Sequence, residues 1–101
     1  MPGKYKLRYL PVAQDDLVSI FDYIAKDSPE RALAFLGKLD KRISMLEQQP
    51  LLGRVPRHQK LKEYGYRVLI IESHLVFYVV RNKVEVVHRV IHGSRNLDYL
   101  I

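Results

Sequence analysis

The sequence predicts an α+β domain in which a helical hairpin packs on one face of an antiparallel sheet, in the order β-α-α-β-β-β. Three features predict it: a period-2 stretch over residues 4–10, two consecutive amphipathic stripes over residues 12–48, and three runs rich in β-branched and aromatic residues from residue 64 onward.

Each element has a local cause. In KYKLRYL, Tyr5, Leu7 and Tyr9 alternate with basic residues, the pattern of a strand with one buried face. Pro11 suits the first turn of a helix over residues 12–26, where Leu17, Ile20, Phe21 and Ile24 form one stripe. Ser28, Pro29 and Glu30 supply an N-cap, a first-turn proline and a carboxylate at the positive end of a second helix. That helix presents Ala32, Phe35, Leu36, Leu39, Ile43 and Leu46 on one face and stops at Pro50. A link of only Lys26-Asp27-Ser28 makes the two helices antiparallel neighbours. Residues 51–62 read as the one substantial loop. YGYRVLIIES, HLVFYVVR and KVEVVHRVIH then read as three strands, separated by Glu72-Ser73-His74 and Arg81-Asn82-Lys83 and paired antiparallel.

Composition bounds what such a domain can do. A chain of 101 residues, 48% hydrophobic, holds one modest core and no second domain. Its apolar runs are too short to span a membrane, and its first ten residues lack a secretory apolar region, so the expected location is the cytoplasm. Without cysteine there is no disulfide framework or thiol chemistry, and no metal or other cofactor is expected. The net charge of +6 favours acidic or polyanionic partners. It is unevenly placed: residues 51–101 carry 9 Lys+Arg against 4 Asp+Glu, residues 1–50 only 8 against 7.

PVAQDDLVSIFDYIA, SPERALAFLGKL, LEQQPLLGRVP and above all YRVLIIESHLVFYVVRNKVEVVHRVIHGSRN, in this order, resemble the RelE/ParE superfamily of type II toxin-antitoxin toxins over nearly the whole chain. The long helical hairpin and the ending HRVIHGSRNLDYLI are closer to the ParE branch. The resemblance implies a cognate antitoxin, and a toxin–antitoxin heterotetramer or a toxin homodimer as assemblies. For the target it implies DNA gyrase, with the ribosome and its mRNA as the alternative that RelE-like endoribonucleases imply. A third reading is a nontoxic nucleic-acid-binding remnant.

Metal-free RNA cleavage needs a base, an acid and cations around the phosphate. Arg67, Arg81 and Arg89 can each clamp a phosphate bidentately, and the resemblance implies that role near Arg67. The alternative for Arg67 is an anchor to a carboxylate such as Glu72 or Glu85, or to the C-terminus. His92 and Tyr99 are the acid or base candidates, His92 alternatively closing the last strand and Tyr99 belonging to an apolar docking tail. Arg54, Arg57, Lys60 and Lys62, with His58 among them and Glu63 beside them, form a cluster that can hold nucleic-acid phosphates. Arg89 and Arg95 extend the same target-binding set. His88 and His92 should share a strand face about 13 Å apart at roughly 3.3 Å per residue, too far for one metal. His74 reads as a surface residue at a turn.

On the second helix, Arg31, Lys38 and Arg42 lie opposite the apolar stripe and read as a solvated face or a gyrase contact. The last three strands are apolar at both parities, which implies a second greasy sheet face beyond the one the helices cover. An acidic antitoxin helix, with an added strand, is the expected cover; homodimerisation is the competing one.

Overall fold

The computed structural model describes residues 4–93 and contains β1 (Lys6–Tyr9), α1 (Pro11–Ala25), α2 (Pro29–Ser44) with a 3-10 turn at Met45–Glu47, α3 (Gln59–Glu63), β2 (Arg67–Ile71), β3 (His74–Arg81) and β4 (Val84–His92). The predicted order therefore holds, with one short helix added in the loop. Pro11 opens α1, and Ser28 caps α2 by accepting the Arg31 N–H at 3.2 Å. Glu30 lies in the first turn of α2 and Lys41 and Arg42 in its last, matching the helix dipole at both ends.

The sheet order is β1-β4-β3-β2. Residues 67–92 form the expected antiparallel meander, but β1 pairs with β4 in parallel, so the sheet is mixed. The reason is the crossover: the helical hairpin carries the chain over one sheet face between β1 and the meander, and a strand entered that way need not reverse direction. Both meander turns have two residues. Asn82 and Lys83 carry φ of 51° and 62°, the signature of a type I′ turn, and Glu72 carries φ of 54°.

One core lies between the helices and the sheet. Ala13, Leu39, Ile43 and Leu46 meet Leu69, Ile71, Val76, Tyr78, Val87 and Val90 there. A second, smaller cluster on the opposite sheet face joins Leu61 of α3 to Val68, Phe77 and Ile91, with Tyr66 and Leu75 against it. This corrects the expectation of a wholly free second face: the chain covers part of it with its own α3. That helix ends in a Schellman motif, with Gly65 N–H donating to Lys62, Tyr66 N–H donating to Leu61, and Gly65 at φ +82°. Tyr66, the residue after Gly65, packs against the cluster that contains Leu61.

β4 contains a bulge. Tyr78 pairs with Val87 and Phe77 with Arg89, leaving His88 unpaired, so Val87 and Val90 both enter the main core. His88 and His92 consequently lie on opposite faces, not on one. His88 meets Tyr66 on the side away from the helical hairpin, while His92 meets His74, which in turn meets Phe35 of α2.

Candidate functional site

Four arrangements account for the residues singled out above. The first is a latch on the loop before α3. Tyr78 receives the Gly53 N–H at 2.8 Å and donates its own proton to the Pro50 carbonyl at 2.9 Å. Arg67 donates from Nη1 to the Gly53 carbonyl at 2.8 Å, and Arg54 and Val68 exchange both backbone bonds beside it at 2.8 Å. Arg67 thus anchors neither to Glu72 nor to Glu85; it holds the loop. Gly53 has no room for a side chain, since a Cβ there would come within 2.7 Å of the Tyr78 ring.

The second is the outer side of β4. β1 covers this strand only as far as Val87, and Leu10 N–H closes the pairing before α1 begins. Beyond that point Asp16 of α1 takes over. Its carboxylate accepts from Arg89 Nε at 2.8 Å, from the second guanidinium nitrogen at 2.9 Å and from the Val90 N–H at 2.9 Å. The guanidinium of Arg89, expected to face a target, is directed to Asp16.

The third is a groove of about 960 Å³ between the helical hairpin and the ends of β3 and β4. Ile20, Tyr23, Ile24 and Phe35 line it from the helices, and His74 and His92 from the sheet. The imidazoles lie edge to face at 5.3 Å, with Phe35 5.0 Å from His74. His74 is therefore part of a groove wall and not a plain turn residue. Burial, then the neighbouring His92, lowers its pKa, opposed by Glu72. Lys38 spans the mouth to pair with Glu72, so this member of the solvated helix face also ties α2 to the β2–β3 turn.

The fourth is the sheet face away from the helical hairpin, with Arg81 exposed at the end of β3 and α3 packed on it through Leu61; Lys60 and Lys62 of α3 and Arg54 and Arg57 of the preceding loop are exposed. Arg81 and His92 do not meet. They lie at opposite ends of the β3–β4 ladder, Arg81 beside Val84 and His74 beside His92, a separation on the order of 25 Å at strand rise. The nuclease set of Arg67, Arg81 and His92 is therefore dispersed over three places. Arg95 and Tyr99 lie outside the described residues. Among the described residues no group of three or more metal-ligating side chains is gathered, and no helix is long and apolar enough to cross a membrane.

One buried ionisable residue had no sequence signal as such. Glu85 is 0% exposed, and neither carboxylate oxygen has a hydrogen-bond partner. Burial, then Glu47, pushes its pKa up to about 7. Asp16, Tyr66 and Tyr78 were missed as well, because their partners lie far away in sequence.

A small α+β domain with exposed cations, an apolar groove and dispersed polar residues has the surfaces of a protein that works by binding macromolecules. Comparison with family models is specific: residues 7–97 match the ParE toxin of type II toxin-antitoxin systems, parDE, and the chain belongs to that family. Among solved structures it is similar to a chain of the chromosomal ParDE toxin-antitoxin system from P. aeruginosa, with TM-score 0.75, 23% identity, and coverage of 90% of this chain and 98% of that one. It is also similar to a chain of the toxin-antitoxin complex RelBE2 from Mycobacterium tuberculosis, with TM-score 0.58, 21% identity, and coverage of 88% and 98%. A comparison with curated proteins gave no match.

Proposed function

We infer that this toxin-family chain acts in the cytoplasm as a ParE-like inhibitor of DNA gyrase and is neutralised by a cognate antitoxin. The observation that carries the reading is the outer surface of the helical hairpin. On the hairpin, Val18, Tyr23 and Leu33 are 59%, 76% and 64% exposed, apolar side chains open to solvent, and Arg31 and Lys38 line the groove together with Tyr23. Such a surface suits a protein target. The dispersal of Arg67, Arg81 and His92 weighs against the ribosome-dependent nuclease alternative.

The antitoxin reading rests on the groove and the adjoining outer side of β4. An amphipathic helix fits a groove walled by Ile20, Ile24 and Phe35, and an extended segment fits beside the part of β4 that β1 leaves uncovered. Tyr23 belongs both to the groove and to the exposed hairpin surface, so a groove-bound antitoxin hides part of the surface offered to gyrase. On this reading the antitoxin lies on the helical side, whereas apolar patterning alone led to the expectation of a sheet-face cover. The basic set of Arg54, Arg57, Lys60 and Lys62 contributes electrostatic attraction to the nucleic acid carried by the target.

The test is purified toxin assayed in parallel for inhibition of gyrase supercoiling and for mRNA cleavage in a translating extract. Inhibition without cleavage supports the reading; cleavage without inhibition rejects it. Copurification with the product of the adjacent reading frame tests the antitoxin, and a stable homodimer indifferent to that product counts against it.

A further inference from the structure

The sheet face away from the helical hairpin carries a feature that the proposed function does not use. Tyr64, Tyr66, Val79, Arg81, Val86 and His88 line a half-open hollow of about 350 Å³. Its floor is flat and apolar, because Val79 and Val86 are direct cross-strand partners. Tyr66 forms one wall, standing edge-on to His88 at 5.1 Å and backed edge-on by Phe77 at 6.2 Å. Tyr64, 56% exposed, stands at the rim, and Arg81 supplies an exposed cation. The Schellman turn at Gly65 fixes the spacing of the two tyrosines, since its positive φ disfavours any side chain.

The polar geometry is equally defined. The Tyr66 hydroxyl and His88 Nδ1 are 2.9 Å apart. Burial, then Tyr64, raises the phenol pKa, while burial, then Arg81, lowers that of the imidazole. A phenol can donate to Nδ1 of an imidazole in the tautomer that carries its proton on Nε2, which leaves Nε2–H as a donor.

We propose that this hollow binds one nucleotide of a single-stranded nucleic acid, the base lying against Tyr64 over the valine floor and its phosphate meeting Arg81. Sequence-tolerant strand binding combines these same two parts, an aromatic surface for the base and cations along the backbone. The hollow lies at the small end of ligand sites, which run from roughly 300 Å³ upward, and so suits a single flat ring and not a helix. The exposed charged residues next to its lining in the chain are Lys62 and Glu63 before Tyr64 and Lys83 after Arg81, which with Arg81 itself makes three cations against one carboxylate. That excess of cations favours a phosphodiester strand, and the aromatic rim favours it over an acidic peptide. The His88 Nε2 proton meets an acceptor on the base edge.

The test is fluorescence anisotropy of short labelled single-stranded RNA and DNA, titrated with the wild-type chain and with Tyr64→Ala, Arg81→Gln and, as a control on the helical side, Lys41→Gln. Tyr64 and Arg81 are exposed, so their replacement leaves the core intact, which circular dichroism verifies. Tyr64→Ala and Arg81→Gln should each weaken binding by about fivefold or more, the loss of one stacked base or one phosphate contact, with Lys41→Gln unchanged. Binding of RNA alone or of both strand types fits the proposal and identifies whether the 2′-hydroxyl contributes. Wild-type affinity in both hollow variants, or displacement of the strand by poly-glutamate as effective as by unlabelled oligonucleotide, overturns it. Because gyrase is absent from the assay, the result stands apart from the target reading.

Discussion

Asp16 and Arg89, 73 positions apart in the chain, form a two-point ion pair in which both guanidinium contacts are 2.8–2.9 Å and the side chains are only 14% and 22% exposed. The same carboxylate also holds the Val90 N–H, so one residue of α1 fastens the helical hairpin to the end of β4. Removing Asp16 leaves a shielded cation and a backbone donor without their acceptor. Asp16→Ala should therefore cost about 2–4 kcal/mol, and Arg89→Lys less, because lysine keeps the charge but not the fork. Urea unfolding midpoints of the two variants check this.

Glu85 gives stability a definite pH dependence. Its folded pKa of about 7 stands above the ordinary value of 4.5, so between these limits the folded chain binds more protons than the unfolded one. The contribution is fully present below pH 4.5 and is lost as pH rises through about 7, amounting to about 3 kcal/mol. His74 and His88 act in the opposite direction, since their lowered pKa values favour the fold above the ordinary histidine range and weaken it as pH falls. Glu85→Gln isolates the acid: its stability relative to wild type should rise between pH 5 and pH 8. A difference that stays flat across this window would show that the carboxyl titrates normally.

The loop latch predicts two separate effects. Tyr78→Phe strands the Gly53 N–H and the Pro50 carbonyl and should cost about 1–3 kcal/mol. Gly53→Ala forces a methyl against a ring that is itself fully buried, and a comparable loss follows from overpacking. Hydrogen exchange at the Arg54 and Val68 amides, which bond each other's carbonyls, should accelerate in both variants.

Lys83 sits at φ 62° in the β3–β4 turn, a conformation that glycine adopts without steric cost. Lys83→Gly should stabilise the chain by roughly 0.5–1 kcal/mol, the strain relieved outweighing the added freedom of the unfolded chain. A rise in melting temperature checks it, and a fall would contradict the turn assignment.

The helices were legible because their causes are local. The stripe of Leu17, Ile20 and Ile24, the Ser28 cap and the stop at Pro50 all act within a few residues. Polar breaks at Glu72-Ser73-His74 and Arg81-Asn82-Lys83 made the meander equally readable, although His74 and Arg81 prove to be paired strand residues and each turn has only two. What escaped depends on distance or on single-residue irregularity: the parallel pairing of β1 with β4, the bulge at His88 and the Asp16–Arg89 pair. α3 has only five residues, too few for periodicity, and its readable trace is the Gly65 that ends it. Of the candidate site, the clustering of cations around α3 was visible in the sequence. The commitment of Arg67 to Gly53 and the distance of His92 from Arg81 are tertiary facts that spacing does not encode.

The central claim is that the outer surface of the helical hairpin, and not a set of catalytic side chains, carries the action on gyrase. The most direct measurement is the toxin concentration that halves plasmid supercoiling, compared for wild type, Tyr23→Ala/Leu33→Ala and Arg81→Ala/His92→Ala. The hairpin variant should require about tenfold more protein or beyond, as expected when exposed apolar anchors are truncated, and the strand variant should match wild type. Inhibition retained by the hairpin variant, or abolished in the strand variant, would contradict the account.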